Sequence, residues 1–453
     1  MEQSRVVSIT LADGTSFDAP RGVTVGEAIR HGGMEPKTVV AGLVNNEVRS
    51  LSHTLRIRAT VKPVYLDSPE GQRVYRRSLC FLLAVAVTER FPGRRLIIGH
   101  SLGNSYFYHF HSQETNEEEV AELSRTFRRL VEDNLPIERD VASYQDALEY
   151  FEEHSMVESR RLLEGRNDSE IPVYRCASSM DISHGPLVDK TGVLAYYNLE
   201  PFEHGFLLQF PDKRNPRVVT AEKRSAMLFG IYKEYKDWGR ILKVSSVGQL
   251  NERVKRGEIK EFIRVNEALQ NKRIAEIADA VVSDDETKLV LIAGPSSSGK
   301  TTFTKKLAVQ LTVLGRRPVM ISVDNYFVPR EETPLDEEGN YDFENIHALD
   351  IDLLNQNVGA LLRGEEIELP SFNFKEGKRV YKGQTVALPE RGLLLMEGIH
   401  NLNDELTREI PRNCKYKVYV SALTQLNLDE HNRISTTDNR LIRRLVRDHL
   451  FRG

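Results

Sequence analysis

Apolar and polar positions change their period several times along the chain, and each change marks a boundary. Residues 6 to 66 read as a small β-rich module. Val6 to Leu11 alternates into Asp13-Gly14, a hairpin signal. Thr24 stands three residues before Glu27, the capping-box spacing, and predicts a short helix that stops at Gly32-Gly33. Two further strand-like runs flank Asn45-Asn46, the second closing near Leu66. Strand, strand, helix, strand, strand predicts a β-grasp module over residues 1–66.

From Ser68 the texture differs. Val74 to Arg90 reads as a strongly apolar helix. Strand-like LIIG and SYFYHF follow, then a charged helix from about Asn116 to Asn134. Residues 139 to 245 mix short strands and helices, so 67–245 is read as one α+β domain. Over Val247 to Val282, residues Ile259, Phe262, Ile263, Leu269, Ile274, Ile277 and Val281 approximate one helical stripe. This predicts a helical linker over 246–285, followed by an α/β region over 286–453.

Composition narrows the function classes. The 453 residues carry a formal net charge of -4, which gives no global pull toward nucleic acid or membrane. Cys80, Cys176 and Cys414 are too far apart for a zinc knuckle or disulfide framework. No apolar run is long enough to cross a bilayer, and the start lacks a signal pattern. The expectation is a cytoplasmic chain with no membrane partner, in which the Asn167-Asp168-Ser169 sequon is coincidental. Oligomeric state does not follow from the sequence.

The strongest chemical signal lies in the α/β region. A buried-strand run, Leu289 to Ala293, leads into Gly294, Pro295, Ser296, Ser297, Ser298, Gly299, Lys300, Thr301 and Thr302, with a helical continuation. This is the phosphate-loop pattern in its strand–loop–helix frame. Small residues let successive N–H groups face phosphate oxygens, and the helix N-terminus adds partial positive charge. Lys300 then bridges the β- and γ-phosphates, and the Thr301 hydroxyl holds Mg²⁺. Asp324 follows the strand Pro318 to Val323 and Glu397 ends the strand from Gly392, so both face a ligand crevice at strand carboxyl ends. Asp324 is a candidate base and Glu397 a candidate for the metal. The blander alternatives are a turn cap and a surface glutamate. Arg440, Arg443, Arg444 and Arg447 share one face of a helix over Asp438 to Leu450, suited to a triphosphate or else simply solvated.

GPSSSGKT, VDNYF, NYDFENIHALD, PSFNFKEGKR, LLLMEGIH and RLIRRLVRD occur in order over residues 288 to 453. Together they resemble the uridine kinase and phosphoribulokinase family of P-loop kinases. The resemblance implies a P-loop NTPase fold with a parallel sheet, ATP and Mg²⁺ as cofactors, and phosphoryl transfer to a hydroxyl of a nucleoside or related sugar-containing acceptor. It makes Asp324 the general base, Glu397 the Mg²⁺-associated acid, and Arg443 and Arg447 lid arginines. Tyr326, Asp342, Glu344, Phe372 and Arg379 become candidate acceptor contacts. Where uridine kinases carry proline-x-tyrosine-aspartate-phenylalanine and then histidine, this chain has Pro370, Phe372, Asn373, Phe374 and Gly377. Nucleobase recognition is therefore altered, and a non-nucleoside acceptor stays open. Family members also continue past the position of Gly453, so the kinase-like domain is expected to end early.

YRRSLCFLLAVAV, FPGRRLIIGHSLGNSYFYHF and MDISHGPLV resemble, in order, the editing domain of threonyl-tRNA synthetase. Residues 1–66 resemble the TGS domain that precedes it. At the positions of the family's editing residues stand Arg77, Phe81, Ser183 and Leu187. None offers an imidazole or thiol. Editing catalysis is not expected, and His184 reads as structural or solvent-facing. RNA contact through this half, and with it an ATP-switched RNA- or ribosome-associated binding protein, is the alternative function. Gly99-His100-Ser101-Leu102-Gly103 fits a nucleophile elbow, but a strand-like run follows where an elbow needs a helix.

Overall fold

In the computed structural model, described for residues 6–33, 39–166, 168–212, 215–220, 226–424 and 426–451, the chain divides into two units. Asn167 of the sequon, and Arg452 and Gly453, lie outside the described residues. Unit 1 comprises Met1–Gly257 with Gln425–Ile434, and unit 2 comprises Glu258–Thr424 with Ser435–Gly453.

Unit 1 opens with β1 (Val6–Leu11), β2 (Ser16–Pro20), α1 (Val25–His31), β3 (Val39–Val44), β4 (Glu47–Arg49) and β5 (Ala59–Tyr65). The five strands form one sheet in the order β2-β1-β5-β3-β4. Both hairpins form where the turn residues predicted them. Asn45 and Asn46 take φ of 48° and 69°, the left-handed pair that a two-residue hairpin loop requires. Thr24 accepts from the Glu27 backbone N–H while the Glu27 carboxylate accepts from that of Thr24, closing the capping box of α1. Val25 and Ala28 of α1 and Ile9 and Val61 of the sheet are fully buried together.

The rest of unit 1 comprises α2 (Pro69–Arg90), β6 (Leu96–Ser101), β7 (Ser105–Phe110), α3 (Glu117–Glu132), β8 (Glu138–Ser143), α4 (Tyr144–Glu153), α5 (Val157–Glu164), β9 (Glu170–Cys176), β10 (Ser179–Asp181), β11 (Asn198–Phe202), β12 (Gly205–Gln209), α6 (Ala226–Leu242) and α7 (Val247–Lys255). Helix α2 starts five residues before the expected Val74, because Ser68 caps it and Pro69 occupies its first turn. Its Tyr75, Leu79, Leu82 and Leu83 are wholly buried among the strands β11-β12-β7-β6 and neighbouring helices. Strands β6 and β7 pair antiparallel, so Gly99 to Gly103 belongs to a hairpin and not to a nucleophile elbow.

In unit 2 the elements are α8 (Ile259–Ser283), β13 (Leu289–Ala293), α9 (Lys300–Val313), β14 (Arg317–Ser322), α10 (Ile351–Leu362), β15 (Ile367–Asn373), β16 (Lys378–Val386), β17 (Gly392–Gly398), β18 (Lys415–Tyr419) and α11 (Thr436–Phe451). Four strands form a parallel sheet in the order β14-β17-β13-β18. Every residue of β13 is buried, as expected for a strand covered on both faces. The helical stripe expected over 247–282 is interrupted. Gly257, at φ 75°, ends α7 and separates it from α8. Only Ile274, Ala278 and Val281 of α8 are buried, because α9 meets this later half, where Lys306 also reaches Gln270 and Asn271. Ile263, in the earlier half, is exposed.

Candidate functional site

The register of the parallel sheet places three loops at one level. Ile292 of β13 pairs with Glu397 of β17, and Glu397 pairs with Ser322 of β14. The turn from Gly294, the turn holding Asp324 and the end of β17 therefore open together at the strand carboxyl ends, where crevices form in such sheets.

The Gly294–Gly299 turn is shaped for an anion. A Cβ on Gly294 would lie 2.2 Å from the carbonyl oxygen of Val420, so only glycine fits there. Ser297 and Gly299 take φ of 60° and 99°, curling the backbone before α9 begins at Lys300. The hydroxyls of Ser297 and Ser298 are buried and, among the described residues, have no hydrogen-bond partner. Buried polar atoms normally find one, so the turn presents unmet hydrogen-bonding capacity toward a ligand. Lys300 donates to the Pro295 carbonyl at 3.4 Å. Burial pushes its ammonium pKa down, while the charges of Glu397 and Asp324 pull it back up.

The Thr301 hydroxyl, on the first turn of α9, donates to the Glu397 carboxylate at 2.8 and 3.0 Å. Thr302 is exposed on the same turn. Asp324 sits in a short 3-10 turn after β14 and keeps an exposed side. Surrounding protein nevertheless raises its carboxyl pKa by desolvation, against the opposing charges of Lys300 and His400.

The candidate acceptor residues separate into groups. Phe372 packs its ring 5.6 Å from Phe327 and 5.1 Å from Phe374, and Phe343 and Tyr341 extend the same aromatic cluster. Asp342 accepts from the Glu344 backbone N–H at 3.0 Å, and both carboxylates act on His400. Tyr326 points elsewhere. It is fully buried in the core with its hydroxyl on Asn357, so its side chain is not a crevice contact. Arg379 pairs with Asp350 at 3.0 Å and donates to the carbonyl of Phe327, which ties the start of α10 to the backbone of the aromatic cluster.

Of the two expected lid arginines, Arg443 reaches the phosphate loop, donating to the Ser297 carbonyl at 3.1 Å. Arg447 does not. It pairs with its neighbour Asp448 at 2.8 Å, while Arg440 donates to the Ser296 carbonyl at 2.9 Å.

Three residues escaped sequence reasoning. His400 has a buried Nε2 with no partner among the described residues, and burial lowers its pKa against the pull of Glu344, Asp324 and Asp342. Asn401 donates to the carbonyls of Ile292 and Met396, fixing the ends of β13 and β17 to each other. Asn325 accepts from the Phe372 backbone N–H and ties the Asp324 turn to β15. The available signal was position, since His400 and Asn401 closely follow Glu397 at a strand carboxyl end.

In unit 1, the residues at the positions compared with the editing site are engaged in packing. Arg77 donates to the Pro186 carbonyl, Ser183 donates to that of Gly185, Phe81 packs edge-on to Tyr174, and Leu187 is fully buried.

Comparison with known proteins divides along the same line. Residues 289–453 match the family described as Phosphoribulokinase / Uridine kinase family. The N-terminal region is similar to threonine–tRNA ligases. That of Halorhodospira halophila is 30% identical over 247 residues, 49% of this chain and 38% of the ligase. That of Thermotoga maritima is 26% identical over 197 residues, 43% of this chain and 30% of the ligase. The chain thus spans only 30% to 38% of the length of these relatives. Among solved structures, a possible uridine kinase from Bacillus stearothermophilus is 22% identical over 33% of this chain and 79% of its own, with a TM-score of 0.28. A putative fructose transport system kinase from Silicibacter is 18% identical over 39% of this chain and 83% of its own, with a TM-score of 0.27.

Proposed function

We propose that residues 286–453 transfer the γ-phosphoryl group of ATP·Mg²⁺ to a hydroxyl of a nucleoside-like or other sugar-containing small acceptor. The observation that carries this reading is the level register of the Gly294–Thr301 turn, Asp324 and Glu397 on one parallel sheet. It brings an anion cradle, a hydroxyl–carboxylate pair suited to a hydrated cation, and a desolvated carboxylate to one crevice.

Each residue then has a role. Backbone N–H groups of Ser296 to Thr302 hold the phosphate tail. Lys300 neutralises charge on the transferring group, with Arg440 and Arg443 free to exchange loop carbonyls for phosphate oxygens. Thr301 and Glu397 fit Mg²⁺ through one hydroxyl and one carboxylate, leaving its other positions to water and phosphate, as this cation prefers. Bound there, the cation would offset negative charge on the phosphates. Asp324 accepts the proton of the attacking hydroxyl, which requires it ionised.

The acceptor side favours stacking over edge recognition. Gly377, where uridine kinases place histidine, has φ 68°, and a Cβ there would lie 2.8 Å from Cβ of Arg330. Arg330 also donates to the Phe374 carbonyl at 2.7 Å. No side chain projects at position 377, so an acceptor would be held by Phe372, Phe374 and Phe343 on its flat face and by Asp342, Glu344 and His400 on its hydroxyls.

We read residues 1–66 as a TGS-like β-grasp domain and 67–245 as an editing-like domain without editing chemistry. The likeness to threonine–tRNA ligases keeps RNA as a partner class for this half. The deciding experiment offers purified chain, ATP·Mg²⁺ and a panel of nucleosides, sugars and sugar phosphates, and follows phosphate transfer. Transfer to a panel member that is lost in Asp324→Asn supports the reading. ATP consumption that responds only to tRNA replaces it.

A further inference from the structure

Residues 426–434 lie in unit 1, although the chain up to Thr424 and again from Ser435 lies in unit 2. The segment is a tight loop. Leu428 donates its N–H to the carbonyl of Asn432 at 2.8 Å, and Asp429 accepts from the backbone N–H groups of His431 and Asn432. Asp429 and Glu430 are buried and the other polar side chains half-buried, and they are individually matched by unit 1, unlike those of an ordinary surface loop.

Glu430 is the clearest case, with a side chain only 1% exposed. Its carboxylate accepts from the backbone N–H groups of Glu158 and Ser159 at 2.7 and 2.9 Å and from the Ser159 hydroxyl at 3.0 Å. Those N–H groups open α5, whose own cap position, Met156, supplies no side-chain bond. A residue 272 positions away in sequence therefore caps this helix. Arg95 completes the charge balance at 3.2 Å. His431 Nδ1 meets Asp181 at 2.7 Å, and Asn432 donates to the Ile182 carbonyl at 3.1 Å. His184 faces Asp429 at 3.7 Å, and the guanidinium of Arg433 lies 5.0 Å from the centre of the Tyr106 ring. Asn427 binds the Ile98 carbonyl and pairs with Ser246, while Ile98 donates to the carbonyl of Glu430. Burial alone would lower the His431 pKa, yet Asp181, Asp429 and Glu430 outweigh it and raise it to about 9.

The receptor face is thus β6, the start of α5 and the Asp181–His184 stretch, the last of these part of the segment that resembles the former editing site. After Ile434 the chain has Ser435 and then α11, which carries Arg440 and Arg443 to the phosphate loop. We propose that this face of unit 1 is a receptor for segment 426–434, and that its grip on the segment limits the freedom of α11. Unit 1 would then regulate nucleotide binding through covalent continuity. Its lost editing chemistry would have given way to a docking role. The link to nucleotide rests on the function proposed above, but the grip itself does not.

Hydrogen exchange on the full chain without nucleotide tests the grip, using two variants. Asp181→Asn removes the partner of a buried charge. An insertion of four Gly/Ser residues between Ile434 and Ser435 leaves every docking residue in place. The proposal expects exchange to rise about ten-fold or more over 427–433 and α11 in Asp181→Asn, and over α11 alone in the insertion variant. Unchanged α11 exchange in the insertion variant overturns it, whether or not Asp181→Asn folds. Mg·ATP affinity is then measured on the same proteins. Wild-type binding that weakens in the insertion variant supports regulation, and binding that stays equal overturns the regulatory half. Absence of binding in the wild type removes the kinase reading while the exchange result still judges the grip.

Discussion

The hydroxyl of Thr301 donates to both carboxylate oxygens of Glu397, at 2.8 and 3.0 Å. The pair joins the first turn of the helix after the phosphate loop to the end of the neighbouring strand. A hydroxyl and a carboxylate so joined offer a hard cation two oxygen ligands, one of them directed by the other. Replacing Glu397 with Gln keeps the hydrogen bond and removes the charge. The expected result is a loss of about 10²-fold in the rate of phosphate transfer, partly recovered at raised Mg²⁺ concentration. Steady-state kinetics across a magnesium titration checks this, and a variant insensitive to both charge loss and magnesium would place the cation elsewhere.

Asp324→Asn separates catalysis from stability. The ionised carboxylate of Asp324 is disfavoured in the folded state, since desolvation raises its pKa above the ordinary 3.8. For a carboxyl raised in this way, the fold loses stability as pH climbs from the unfolded pKa through the folded one. At neutral pH the neutral amide removes that cost. The Asp324→Asn variant should therefore melt at a higher temperature than the wild type while transferring phosphate about 10²- to 10⁴-fold more slowly. The acid limb of the wild-type pH–rate profile should lie above that of an unperturbed aspartate. A limb that remains in place in the residual activity of the variant would assign it to another group.

The parts of this site that sequence makes legible are those built by neighbours in the chain. Gly294 to Thr301 forms its cradle from its own backbone, and Asp324 and Glu397 announce themselves by standing at the ends of apolar runs. The same holds for the Thr24–Glu27 box and the Asn45-Asn46 turn. Long-range pairings left no local signal. Nothing near Glu430 in sequence reveals that it caps α5. Helical spacing places Arg440, Arg443 and Arg447 on one face, but it cannot show that Asp448 holds Arg447 back. The apolar stripe of α8 failed for a related reason, because burial depends on where α9 lies and not on period alone.

Gly377 tests the turn between β15 and β16. Its φ of 68° is costly for any residue with a Cβ, and the added atom would press on Arg330. Gly377→Ala should destabilise unit 2 by about 1–3 kcal/mol, visible as a lower unfolding temperature. Gly377→His should do no better and should not create selectivity for pyrimidine nucleosides. Retained stability together with new pyrimidine selectivity would mean that this turn can be rebuilt and that a histidine here is the determinant.

The arginines of α11 provide the sharpest comparison, because three residues on one helix face differ in what they now touch. Arg440 and Arg443 hold loop carbonyls that an incoming phosphate could replace as acceptors, whereas Arg447 is satisfied by Asp448. An arginine–phosphate bond gains from charge on both sides, and losing one commonly costs a factor of about ten or more in affinity. Arg440→Ala and Arg443→Ala should each raise the KM for ATP by that factor or lower kcat, and Arg447→Ala should change either far less. Because all three lie on the same helix, a general loss of helix structure would affect them alike and would show in circular dichroism. Equal kinetic penalties with intact helicity would mean that Arg447 leaves Asp448 when nucleotide binds, placing it among the phosphate ligands.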